Sequence, residues 1–412
     1  MVSDGTPRGT DEHPARRDGD ERDERAYLDH AATTVMRPTA RDAYLEASQV
    51  RGNPSSVHTS GRRARAVLDE SLERIATLLG VPRSWLILTS GGTEADNLAI
   101  RAVALGAHDA DPARRAVAVA ATDHPAVLAT ARSLETGPVG LEARVLPVDR
   151  RGRLLAERTA EALADGAVSV ASAALVNNET GALQDVAALA ACAREHGTWV
   201  HTDAVQGIGH VALPSWDQVD LMSLSGHKIG APVGVGVLVA RPEVPMAVTS
   251  TGGGQQRGVR SGTLDAAHAA SFAAALEELL SRREQEGART RELAARLRAG
   301  IAQVDPTARF TLAEDWDQAG HIVHVVFPGA DPDSLLFLLD ERGVDCSAGS
   351  ACAAGVTQAS PVLAAMGIGD GEARGALRLS LGWSSTAQEV EMLLAALPEA
   401  LVRARAVGAL FG

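Results

Sequence analysis

Leu221-Met222-Ser223-Leu224-Ser225-Gly226-His227-Lys228 runs from an apolar, strand-like stretch into a turn that ends on Lys228, the one lysine of the chain against 38 arginines. Arginine serves wherever charge and solvation are enough, but its guanidinium stays protonated and cannot act as an amine nucleophile, whereas a desolvated lysine can lose its proton. A chain that otherwise avoids lysine and places one at the end of a strand points to amine chemistry. A lone lysine also has to fall somewhere, so its neighbours decide.

Working outward, residues 85–89, 116–120, 168–176, 198–201, 220–224 and 234–240 are apolar through their length and read as strands, mostly separated by helical stretches such as 185–195. Residues 66–79 place Val67, Leu68, Leu72, Ile75, Leu78 and Leu79 on one helical face. Continuous apolar strands alternating with helices imply an α/β fold with a mainly parallel sheet covered on both faces. After Thr263 the pattern changes to helices over 266–280 and 283–304, a strand over 322–327 and a helix over 332–341, the pattern of a smaller α+β domain. The expected divisions are a disordered acidic tail (1–25), a segment joining the small domain (26–40), a large domain (41–264) and the small domain (265–412).

Composition excludes several classes of function. A formal net charge of -13 over 412 residues, with no basic cluster flanked by aromatics, argues against direct nucleic-acid binding. Three cysteines make no disulfide framework and no zinc spacing, so no metal is expected and a reducing, cytoplasmic setting is. The tail has almost no apolar side chains, and its acidity argues against a signal or transit peptide. Apolar runs fall well short of the ~20 residues a bilayer span needs, so no membrane segment is expected.

In open parallel sheets ligands collect beyond the carboxyl ends of the strands. Ser90-Gly91-Gly92-Thr93-Glu94 follows the first strand and offers backbone N–H groups and a positive helix end to an anion, most naturally phosphate, although a plain capping turn has the same composition. The next strand ends bring Asp123-His124-Pro125, then Asn177-Asn178-Glu179-Thr180-Gly181, then Asp203-Ala204-Val205-Gln206, and finally Ser225, His227 and Lys228. Any one of these alone reads as a cap or a satisfied core group. Together they suit a phosphorylated pyridine aldehyde, a carboxylate holding the protonated ring nitrogen and the lysine bonding the aldehyde. The small-residue stretch around Ser347-Ala348-Gly349-Ser350-Ala351-Cys352 adds a thiol on what reads as an exposed loop, whereas Cys346 and Cys192 read as structural.

Taken together these segments resemble the cysteine desulfurases, pyridoxal 5'-phosphate enzymes of the class V aminotransferase group with the fold-type I architecture. The resemblance rests on Tyr27-Leu28-Asp29-His30-Ala31-Ala32-Thr33-Thr34, Gly52-Asn53-Pro54-Ser55-Ser56, Thr89 to Glu94, Asn177-Asn178-Glu179, His201 to Gln206, Ser225 to Lys228, Arg260-Ser261-Gly262-Thr263, Gly349-Ser350-Ala351-Cys352 and Arg378 to Gly382, in the family's order from about residue 27 to 395.

The resemblance implies roles residue by residue. Lys228 bonds the cofactor, Asp203 pairs with the pyridine nitrogen, His124 stacks on the ring, and Asn178 and Gln206 hold the phenolic oxygen side. Gly92, Thr93, Ser225 and His227 bind the phosphate, and Thr263 reaches the phosphate of a neighbouring subunit, so a homodimer is implied. Asn53 and Arg378 take the carboxylate of L-cysteine. Cys352, on a loop of about 344–358, takes the sulfur as a persulfide and passes it to an acceptor protein of iron–sulfur cluster assembly or tRNA thiolation. The alternatives are a class V aminotransferase or a selenocysteine or other carbon–sulfur lyase, which would use the same cofactor groups without needing Cys352, and a non-catalytic binding protein of the same fold. The chain departs from many relatives at Ile229 to Gly234 and at Gln255-Gln256.

Overall fold

The computed structural model describes residues 25–348 and 360–411. Its strands are β1 (Ala26–Tyr27), β2 (Leu86–Thr89), β3 (Ala116–Ala120), β4 (Glu142–Leu146), β5 (Val168–Ser172), β6 (Trp199–Asp203), β7 (Leu221–Ser225), β8 (Gly236–Ala240), β9 (Arg309–Phe310), β10 (Ile322–Val326), β11 (Val344–Asp345) and β12 (Ala376–Ser380). Seven of them form one sheet in the order β2-β8-β7-β6-β5-β3-β4. β8 is antiparallel to both of its neighbours and all other pairs are parallel. The α/β class and the mostly parallel sheet expected from the sequence are those found.

Strands β2, β3, β5, β7 and β8 are buried at every position, which is why they read as unbroken apolar runs. β4 escaped the sequence reading because it is an edge strand. Its Glu142, Ala143, Arg144 and Val145 all stay at least partly exposed, so its apolar signal is weak. The helix expected over 66–79 begins earlier, at Thr59–Leu79, where His58 accepts a hydrogen bond from the Gly61 N–H at 3.2 Å. It ends at Gly80, whose φ of 66° lies in the left-handed region that glycine enters without strain.

The two helices expected after Thr263 are one helix of 39 residues, Ala266–Val304. Its sequence holds no proline, and residues 281–286 (Ser-Arg-Arg-Glu-Gln-Glu) include several strong helix formers, so the polar interruption marks an exposed face and not a break. Phe272, Ala273, Leu276 and Leu279 of its first half pack into the core under the seven-stranded sheet. Leu293, Leu297 and Ile301 of its second half pack with Ala26, Leu28, Phe327, Leu335, Leu339, Leu377, Leu379, Leu393 and Leu397 into a separate core. That second core lies against the antiparallel sheet β9-β10-β12 and the parallel pair β1-β11. Among the described residues no helix is long and apolar enough to cross a membrane.

Candidate active site

The carboxyl ends of β5, β6 and β7, with the turn after β2 and the start of the helix after β3, converge on a cavity of about 680 Å³, open to solvent. Gly92, Thr93, His124, Asn178, Asp203, Gln206, Ser225, His227 and Lys228 all line it, so nine residues singled out in the sequence meet in one place. Ala174, Val176, Val205 and Asp96 line it as well and were not anticipated. The apolar three read as ordinary core. Asp96 lies inside a helix and gives no turn or motif signal.

Lys228 sits in the single helical turn Gly226–Ile229 that follows β7. Its Nζ donates to the carbonyl oxygen of Ala32 at 2.6 Å and to that of Ala31. The Gln206 amide also donates to the Ala31 carbonyl, at 2.7 Å. Burial, assisted by the Arg378 guanidinium and opposed by Asp29 and Asp203, brings the Lys228 ammonium down to about 8. The amine is therefore partly unprotonated near neutral pH.

Asp203 closes β6 and is 8 % exposed, its Oδ1 accepting from the Val205 N–H at 2.8 Å. Burial raises it above the ordinary carboxylate range, against the pull of that N–H and of Lys228. His124 caps the helix Pro125–Glu135 by accepting the Ala126 N–H at Nδ1 at 3.1 Å. Burial, and then the nearby Lys228 charge, lower the imidazole, and because Nδ1 accepts the Ala126 N–H a neutral ring carries its proton on Nε2. His227 contacts the Thr33 hydroxyl through Nδ1 at 3.2 Å, and burial brings it down to about 4.

The residues fit a phosphorylated ring on three observations. Ser225 Oγ is buried without a hydrogen-bond partner beside the Gly91-Gly92 turn. A Cβ on Gly92 would come within 3.1 Å of Val205 and 3.5 Å of Ser225, so glycine keeps that wall open without crowding Val205. The donor set pairs a helix N-terminus with a hydroxyl and a carboxylate.

The remaining expected residues lie elsewhere. Arg378 on β12 is 5 % exposed; it donates to Asp29 Oδ1 at 2.7 Å and to the Asn178 carbonyl at 3.0 Å, and its buried Nε has no partner. Asn53 is exposed and accepts the Ser55 N–H within its own turn, outside this cavity. Thr263 is exposed and lines a different cavity, with Tyr44 and Pro54. Cys352 lies outside the described residues. Of the other thiols, Cys192 is half-buried against the sheet core, and burial pushes Cys346 up to about 12, as befits a structural cysteine.

A family model described as aminotransferase class-V matches residues 26–393. An IscS-like cysteine desulfurase of Mycobacterium tuberculosis is 41% identical over 383 residues, covering 92% of this chain and 97% of that protein. The cysteine desulfurase NifS of Azotobacter vinelandii is 35% identical over 92% of this chain and 94% of its own length. A solved structure described as a NifS-like protein superposes with a TM-score of 0.84 at 30% identity, over 92% of this chain and all of that one. The chain belongs to the class-V aminotransferase family. Within it, the match to cysteine desulfurases along nearly the whole chain makes it a cysteine desulfurase.

Proposed function

We propose that the cavity at Lys228 holds pyridoxal 5'-phosphate and that the enzyme removes sulfur from L-cysteine, leaving L-alanine. The observation that carries this reading is the meeting of the one lysine with Asp203, His124 and the Gly92-Thr93-Ser225 cradle around a single cavity. When bound, pyridoxal phosphate supplies an electron sink for bonds to the substrate α-carbon. Asp203 holds the pyridine nitrogen protonated, and His124, neutral and with Nε2–H free of the backbone, covers the ring. Asn178 and Gln206 border the phenolic oxygen, while Thr93, Ser225 and His227 take the phosphate. Lys228, brought down to about 8, is able both to give and to take the α-proton at Nζ.

Arg378 receives the substrate carboxylate, a task suited to a guanidinium fork, and Asn53 assists it. The thiolate of Cys352 attacks the substrate sulfur. A new S–S bond forms, the Cβ–S electron pair passes to carbon, and protonation there completes alanine while the persulfide stays on Cys352. An acceptor protein, an iron–sulfur scaffold or a tRNA-thiolation enzyme, takes that sulfur by thiol exchange. Thr263 is exposed and lines a cavity other than the one at Lys228, which supports the reading that it serves the phosphate of a second copy in a homodimer, working in the cytoplasm. We retain the division into a large domain over 41–264 and a small one over 265–412 as part of this reading, with the first half of the helix Ala266–Val304 lent to the large core.

The test is Cys352→Ala, incubated with L-cysteine and reductant. Sulfide release should fall to background and the mass adduct of one sulfur, found on Cys352 in the unaltered protein, should vanish. Undiminished turnover would instead favour a carbon–sulfur lyase.

A further inference from the structure

The Arg378 guanidinium, proposed above to receive the substrate carboxylate, is already paired with an anion. Its Nη2 donates to Asp29 Oδ1 at 2.7 Å, and the two side chains differ in access, that of Arg378 being 6 % exposed and that of Asp29 22 %. Burying a guanidinium calls for a counter-ion, so the contact alone implies nothing further. What Asp29 leaves free, and where it is fastened, do.

Asp29 spends only one of its oxygens on Arg378. Among the described residues no protein group donates to Oδ2, so the carboxylate keeps acceptor capacity on a side chain that solvent still reaches. Glu179 also lies within range of the Arg378 charge, but it is 3 % exposed and burial raises it to about 7. Asp203 is 8 % exposed and already accepts the Val205 N–H. Of these three acids Asp29 is the accessible one.

The backbone ties Asp29 to the amine of the site. Its carbonyl accepts the Ala32 N–H at 3.0 Å, and the Ala32 carbonyl accepts from Lys228 Nζ at 2.6 Å. The charges of Arg378 and Asp29 both reach Lys228, the first lowering it and the second raising it, Asp29 more strongly than Asp203. On the other side Arg378 Nη1 donates to the carbonyl of Asn178, whose residue lines the cavity.

An α-amino acid arrives as a zwitterion, with a carboxylate and an ammonium on one carbon. A cation alone answers half of it. We infer that Asp29 is a specificity-determining residue that binds the α-ammonium of incoming L-cysteine through Oδ2 while Arg378 holds the carboxylate. The assignment rests on the carboxylate role of Arg378. A simple carboxylate without the amine meets Asp29 as a like charge, so the same residue that favours amino acids disfavours monocarboxylates.

The test is inhibition of L-cysteine turnover by the full-length, cofactor-loaded enzyme, using L-2-aminobutyrate and butyrate, two sulfur-free analogues that differ only in the amine. In Asp29→Asn, whose amide oxygen still offers Arg378 an acceptor, the inhibition constant of L-2-aminobutyrate should rise about tenfold, as expected for one lost charge-assisted hydrogen bond. That of butyrate should stay the same or fall. Constants that rise together would mean that Asp29 only holds Arg378 in place, and constants that both stay put would mean that the substrate does not meet Asp29; either result overturns the inference. Should Asp29→Asn not fold, Asp29→Ser carries the same comparison. In Arg378→Lys the butyrate constant should rise, and its failure to do so would sink the carboxylate role of Arg378 separately.

Discussion

The Nζ atom of Lys228 lies 2.6 Å from the carbonyl oxygen of Ala32, so the N-terminal segment, and not the sheet, holds the amine in place. Thr34 N–H bonds the His227 carbonyl at 3.0 Å and Arg37 N–H the Gly230 carbonyl at 2.8 Å, fastening the same segment along the turn that carries the lysine.

Reactivity of that amine should follow its lowered proton affinity. An unprotonated amine is the nucleophile, so covalent capture of an aldehyde by cofactor-free protein should rise with pH through a midpoint of about 8, where an ordinary lysine would need about 10.5. Reductive trapping followed by peptide mass mapping measures it, and Lys228→Ala should abolish it.

Arg378 offers a guanidinium whose Nε is buried and unpartnered. Replacing it by lysine keeps a charge but loses the fork, which for a charge-assisted hydrogen bond is worth about 1.5–3 kcal/mol. Steady-state kinetics of Arg378→Lys should show KM for L-cysteine raised about 10- to 100-fold.

Arg37 is 1 % exposed and donates to Glu278, to Glu286 at 2.7 Å and to the Ile229 carbonyl at 3.1 Å, with its guanidinium 5.2 Å from the Trp383 ring centre. Removing one partner of a buried ion pair strands the other. Arg37→Met should cost about 3–5 kcal/mol in denaturant unfolding, and it should also loosen cofactor binding, because Ile229 adjoins Lys228.

Acid should unfold the protein steeply. Burial lowers His30 and His210 to about 4 and His201 and His324 to about 3, and puts His321 well below 6.5. The unfolded chain binds these protons first, so stability present above pH 6.5 is lost as pH falls toward 4 and below. Asp96, Asp123, Glu179, Asp203 and Asp220 are raised and act in the opposite sense, but with His124 and His227 also lowered, seven imidazoles outnumber five carboxyls. Thermal unfolding across that range should show net proton uptake, and His321→Gln should flatten the slope.

The sheet and most of the cofactor cradle were legible because buried parallel strands announce themselves as apolar runs and their carboxyl ends are the places where ligands gather. Edge strand β4 was hidden by Glu142 and Arg144, whose polarity suits solvent and not a core. The long helix was divided in two because residues 281–286 carry charge without any breaking residue. Asp96 and the carbonyls of Ala31 and Ala32 gave no signal, the first because it sits inside a helix without a motif, the others because every residue has a carbonyl. Asn53 and Thr263 show the reverse case: their motifs stand out in the sequence, yet one chain does not bring them to its own cavity.

The helix Ala266–Val304 is a shared beam between two cores, since Phe272 and Leu276 anchor one half and Leu297 and Ile301 the other. Cutting the chain anywhere near its middle would strip each core of one wall, so neither fragment should survive alone. Any relative movement of the two ends during turnover has to bend this rod or slide along it.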